Sequence, residues 1–370
     1  MSERSRFVLA TTLCSALTST ALAHHAVTTH FDTSKSIEIR GTVVDFKLRS
    51  PHASMVIDGI SYVDGIAQES EPQRWEIESQ AAAGLRAMGI ERDTFRSGDR
   101  ITAIAAPNRQ PGFRFVNSSN FTDASGRQYA MASARRPELV SETRNLDASD
   151  PAAMNGIYQI GVQRPQNHEP LPLSDAGQAA RDSYDPRESP ANTCEPMSFP
   201  DMFYAPYLFR VSVASNAITI YNQPWEVDRT VPLDGTAVRS SHEGLFGTIT
   251  GRRDGAAVVL QSTGFPASGW GIGSAVQPLG RGADIPSSDQ KTLTERFSLS
   301  EDGLSLVYEY TLTDPVYLSR PYQARMTFPR VADNTEIFPY ECEEESASMF
   351  SRNSQDQSLQ IGNQGQTDQQ

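Results

Sequence analysis

Short runs of alternating apolar and polar residues, broken at close intervals by Gly, Pro, Asn or Asp, recur along most of this chain. A period of two puts successive side chains on opposite faces of a strand, so the pattern predicts sheet. Ser36 to Phe46 alternates through Ile37, Ile39 and Val43, and Ala53 to Asp58 continues it. In Arg74 to Glu78, Trp75 and Ile77 share one face. Ala81 to Met88 then reads as a short helix stopped by Gly89. Arg100 to Ala105 follows the Ser97-Gly98-Asp99 turn, and Phe113 to Phe121 with Gln128 to Ser133 closes a hairpin. Three strands, one helix and two further strands is the order of an OB-like barrel.

From Met202 the alternation resumes in short segments, Tyr207 to Val213, Ala217 to Tyr221, Trp225 to Pro232, Gly244 to Thr250, Ala256 to Ser262, Thr292 to Leu299, Leu304 to Leu312 and Tyr322 to Phe328. Asp254-Gly255 and Asp302-Gly303 sit between apolar runs and predict hairpins. Long helices between strands are missing, which argues against a parallel α/β sheet. The expected fold class is therefore all-β and mainly antiparallel, an OB-like barrel followed by a β-barrel or β-sandwich. The expected layout is an OB-like domain over 24–135, a linker and irregular segment over 136–200, and a second β domain over 201–345. Ser174 can cap a short helix inside the irregular segment. A disordered, Gln-rich tail is expected over 346–370.

Composition narrows the partners. The chain has 370 residues, with 45 acidic against 32 basic ones and a formal charge of −13. A nucleic-acid binder needs a basic face to displace phosphate counterions, so nucleic acid is excluded as an expected partner. No run of about 20 apolar residues is present to span a bilayer. Arg4 and Arg6, a mildly apolar Phe7 to Ala23 and the Ala21-Leu22-Ala23 site read as a signal peptide over 1–23. A periplasmic or secreted location follows. Cleavage after Ala23 would remove Cys14 and leave Cys194 and Cys342, the pair expected to form a disulfide.

The N-terminal half resembles a domain of unknown function from exported bacterial proteins. The features that carry the likeness are Ala23-His24-His25, Phe31-Asp32, Gly41-Thr42-Val43, Ser50-Pro51-His52 where that family has Asn-Pro-His, and Gly98-Asp99. The C-terminal half resembles a second uncharacterised exported domain through Cys194-Glu195-Pro196, Leu233-Asp234-Gly235, Glu295-Arg296-Phe297 and Thr313-Asp314-Pro315. In place of that family's Trp-Glu-Gly-Asp segment stands Arg252-Arg253-Asp254-Gly255. The resemblances imply location and architecture and bring no activity.

Two sets of side chains carry candidate chemistry. Four of the six histidines lie at His24, His25, His30 and His52. After cleavage His24 would offer an amine and an imidazole on one residue, which with His52 or His30 suits copper, while His25 or His30 could instead complete a zinc site. Asp32 is a weaker candidate for the same set. In the second half, Arg229, Trp225, His242 and Glu295 are polar or aromatic residues in strand or loop context that would fit a small-ligand pocket. Glycine-flanked serine, zinc-protease, Cys-x-x-Cys and phosphate-loop signatures are missing from the sequence. The reading is a binding protein for a small ligand or a metal ion. A copper-dependent oxidase working from His24 and a cell-envelope interaction protein are the alternatives.

Overall fold

The computed structural model describes residues 30–130, 138–141, 149–159, 169–240 and 242–349. The expected signal peptide, His24 and His25, and residues 350–370 lie outside them. Five strands of the first region close into a barrel: β1 Ile37–Lys47, β2 Ser54–Val63, β3 Gln73–Glu78, β4 Arg100–Ala106 and β5 Phe115–Asp123. The order around the barrel is β1-β2-β3-β5-β4 and back to β1. Every pairing is antiparallel except β3 with β5. This is the OB-like order, with the helix α1, Ala82–Arg86, between β3 and β4. Closure needs strands that bend. β1 carries a bulge between Val43 and Asp45, which raises local twist. Gly41 of β1 faces Gly59 of β2, and a Cβ on either would run into the opposite strand's backbone. The inward row then fills the barrel, with Ile39, Ile57, Ile77, Ala103 and Leu85 fully buried.

The second region builds two main antiparallel sheets, with a two-stranded ribbon of Ser268–Gly273 and Ile285–Ser287 beside them. The first contains β6 Gly156–Gln159, β7 Leu208–Val213, β8 Ala217–Asn222 and β9 Val227–Pro232, in the order β9-β8-β7-β6. The second contains β10 Val238–Arg239, β11 Thr248–Asp254, β12 Ala257–Thr263, β13 Thr292–Leu299, β14 Ser305–Thr313 and β15 Tyr322–Pro329, paired in sequence order. Both Asp-Gly hairpins form: Asp254 pairs with Ala257, and Leu299 with Leu306. Single bridges join the sheets on both sides, Tyr158 to Arg330 and Asp234 to Arg252. The result is a flattened barrel around one apolar core. A 3-10 turn over Asp201–Tyr204 drives Phe203 into its centre, against Tyr308 and Phe209 at centroid distances of 4.7 and 5.1 Å.

Several boundaries differ from the sequence reading. The segment expected as a linker contributes β6, and Met154, Tyr158 and Met197 are buried in the second core. Its capped helix is present at Asp175–Asp182, where Ser174 Oγ accepts from the Gly177 N–H. The strand expected from Trp225 starts at Val227, because Pro224 opens a turn in which Trp225 and Glu226 both take positive φ. The strand expected from Gly244 starts at Thr248, after a turn over His242–Gly244. The start of the expected tail is packed: Ser346 and Met349 are buried beside the first barrel. Cys194 and Cys342 form the expected disulfide, with Cα atoms 6.0 Å apart. No helix among the described residues is long and apolar enough to cross a membrane.

Candidate functional site

Alternation along β9 turns Val227, Arg229 and Val231 inward and Asp228 and Thr230 outward. An arginine in a core-facing row must be paired, because an isolated buried charge is strongly unfavourable. β13 supplies the partner at the matching position, Glu295, flanked inward by Leu293 and Phe297. Arg229 Nη1 lies 2.8 Å from Glu295 Oε2 and Nη2 3.2 Å from Oε1. The Tyr308 hydroxyl donates to Oε1 at 3.0 Å. Burial holds that hydroxyl's pKa well above its ordinary value, so it stays a donor. The guanidinium lies 3.5 Å from the centroid of the Phe199 ring. Arg229 Nε has no hydrogen-bond partner among the described residues.

Above this pair the two sheets separate. The chain just past β9 meets β11 at the Asp234–Arg252 bridge, and β9 itself ladders onto neither β10 nor β11. The seam leaves a groove of about 390 Å³. Arg229 and Ile249 line it from inside, Glu226 and Asp228 from one side, and Arg239 and His242 from the other. Exposed charges of both signs on its walls can hold a polar molecule by directed hydrogen bonds.

Of the four ligand residues expected from sequence, Arg229 and His242 therefore line one groove. Glu295 stands behind Arg229 as its counter-ion. Trp225 lies outside the lining and packs its ring on Trp270 and Tyr340, at 6.1 and 5.3 Å. Density of aromatic residues does not separate packing from lining. Glu226 and Asp228 were missed, although both flank Arg229 in the same alternating segment. A second concavity, about 360 Å³, lies on the first barrel among Arg40, Asp58, Arg100 and Asp123. None of these charged residues is buried.

The histidine set is only partly assembled. His52 Nδ1 is 2.8 Å from Glu78 Oε1, and Glu78 is 1% exposed. Burial alone would lower the His52 pKa, but the charge and hydrogen bond of Glu78 and the Ser79 carbonyl outweigh it and the net shift is upward. Burial lowers the pKa of His30, against the pull of the same Glu78. One carboxylate thus acts on both imidazoles. Asp32 is bound to Ser34 and Lys35 in an exposed turn, which holds it at about 2. Among the described residues no three His, Cys, Asp or Glu side chains are grouped to hold a metal. The copper and zinc reading therefore depends on His24 and His25, outside the described residues.

Residues 12–114 match a family of unknown function, DUF6152, over less than a third of the chain. No curated protein matches. A solved structure, that of Csd3 from Helicobacter pylori, is similar at 10% identity over 89% of this chain and 84% of that one. Its TM-score is 0.14, which supports no statement about fold or activity.

Proposed function

We propose that this is a ligand-binding protein whose seam groove takes a small molecule bearing a carboxylate and a hydrogen-bond donor such as an amine. The observation that carries the reading is the opposition of exposed charges across the groove, Arg239 on one wall and Asp228 and Glu226 on the other, over the buried Arg229–Glu295 pair. Arg239 would meet the carboxylate, and Asp228 and Glu226 would meet the donor. We also propose that it works outside the cytoplasm, a reading supported by the Cys194–Cys342 bridge.

The test is a panel of amino acids and short hydroxy acids, screened by thermal shift and followed by titration calorimetry. Arg239 is exposed, so Arg239→Glu should fold normally. It should weaken the best ligand by tenfold or more, about 1.4 kcal/mol. Unchanged affinity in that variant, or no stabilising member of the panel, would count against the groove.

The His52–Glu78 pair favours a second reading, a copper-dependent oxidase working from His24 with His52. Imidazoles that ligate metals commonly hydrogen-bond a carboxylate on the far side. Cu(II) titration should then distinguish protein beginning at His24 from protein with one residue added before it. Equal, weak binding by both forms would dispose of the oxidase.

A further inference from the structure

Beyond the groove, the chain uses its last described residues as a strap across the first barrel. After β15 the chain is fixed at Tyr340, which is buried, donates its N–H to Glu226 Oε1 at 3.1 Å and packs on Tyr207. The next residues leave the second barrel and lie along the Ser50-Pro51-His52 loop. The Ser50 N–H donates to the Glu341 carbonyl, and the Glu343 N–H donates to the Ser50 carbonyl, both at 3.0 Å. Ser346 Oγ accepts from the His52 N–H at 3.0 Å and donates to the His52 carbonyl at 2.6 Å. Arg49, 1% exposed, finds its carboxylate on the strap, Glu345, at 2.6 Å. Lys47 reaches the same carboxylate at 2.8 Å, and Arg86 reaches Glu341 at 2.7 Å.

In the middle of this contact stands Cys342, bridged to Cys194 at the end of the 3-10 turn Pro190–Thr193. Both cysteines are partly exposed, so a small reductant can reach them. The strap carboxylate Glu345 is close to half exposed, and so is Lys47 opposite it, an exposed ion pair of the kind that holds weakly. A covalent tether makes such weak docking intramolecular and persistent.

We propose that the Arg49 to His52 loop is a docking surface whose occupant, the 341–346 strap, is locked by the disulfide and released by a dithiol reductant. One thiolate of the dithiol attacks a bridge sulfur and breaks the S–S bond. Its second thiol then closes on the mixed disulfide. The dithiol gives up two electrons and two protons and becomes a cyclic disulfide. The protein gains two thiols, at Cys194 and Cys342. The strap can then swing from Tyr340, uncovering Arg49 and the Ser50-Pro51-His52 loop.

Hydrogen exchange followed by mass spectrometry on the full folded chain tests this, with dithiothreitol as reductant and a count of free thiols as the control. Reduction should speed exchange of peptides covering 47–54 and 341–349 by about tenfold or more and leave 292–299 unchanged. Cys342→Ser should give the same pattern without reductant. If that variant does not fold, reduction of the folded native chain decides alone. Three results would overturn the proposal: a bridge that dithiothreitol does not reduce in the folded chain, two free thiols with unchanged exchange at 47–54, or equal acceleration everywhere.

Discussion

The two barrels solve the problem of buried charge in different places. In the first, the buried charged side chains are Arg49 and Glu78. Both meet partners near the strap, Arg49 through Glu345 and Glu78 through His52. The interior itself is filled by Ile39, Ile57 and Ile77. In the second, Arg229 and Glu295 lie between the sheets. Lys291 and Asp201 are also fully buried. Lys291 Nζ donates to the Ser198 hydroxyl and the Phe199 carbonyl, at 2.7 and 2.8 Å, and to the Gly271 carbonyl. An apolar pair can serve stability as well as a buried ion pair does, because desolvation cancels much of the Coulomb gain. The second barrel therefore carries polarity that packing does not require, and the groove opens over it.

The largest expected effect breaks that pair. Glu295→Gln leaves the Arg229 charge buried without a counter-ion and should cost about 3–5 kcal/mol in denaturant unfolding. Replacing both, as Arg229→Met with Glu295→Leu, should cost less than the single change. Ile57→Val in the first barrel, a deleted methylene in a packed core, should cost about 0.5–1.5 kcal/mol. A Glu295→Gln variant no less stable than Ile57→Val would erase the contrast between the barrels.

A smaller effect with the opposite sign is expected at Asp201. Burial is the main cause that raises its carboxyl to about 7, although the Ser274 N–H donates to Oδ2 at 2.8 Å. Oδ1 has no hydrogen-bond partner among the described residues. Between the ordinary 3.8 and about 7 the folded chain holds a proton here that the unfolded chain has released. Stability contributed by this group therefore falls as pH rises through that window, by about 1.4 kcal/mol per pH unit. Asp201→Asn removes the dependence, so its stability relative to the native chain should rise from pH 5 to pH 7. Parallel stability curves for the two proteins would show that Asp201 is ionised throughout.

Much of the architecture is legible because a strand's two faces are written in its alternation. The OB-like order follows from one helix placed after three strands, and the bridge from two cysteines left beyond Ala23. Arg229 and Glu295 are visible as charges standing in inward rows. The groove is not legible in the same way. It exists because β9 fails to pair with β10, a relation between strands and not a property of either. β6 is short, and with Ile157 and Tyr158 adjacent it shows too little alternation to be read. The strap is polar like the tail that follows it. Its order comes from partners about 290 residues earlier, such as His52 for Ser346, separated by 294 positions.

The smallest effect lies at the rim of the first barrel. Arg74 and Asp58 face each other across β2 and β3 in a two-pronged pair, at 2.9 and 3.0 Å, with both side chains well exposed. Hydrogen bonding from Arg74 is the main cause that lowers the Asp58 pKa. Its contribution is present above the unfolded pKa and is lost as pH falls through the folded one. Water and salt screen such a pair, and holding two long side chains in register costs entropy. Asp58→Asn should therefore shift the melting temperature less than Ile57→Val, the neighbouring residue whose side chain points into the core. The shift should shrink further in 1 M salt. A loss larger than that of Ile57→Val, persisting in salt, would mean that the first barrel too depends on its ion pairs.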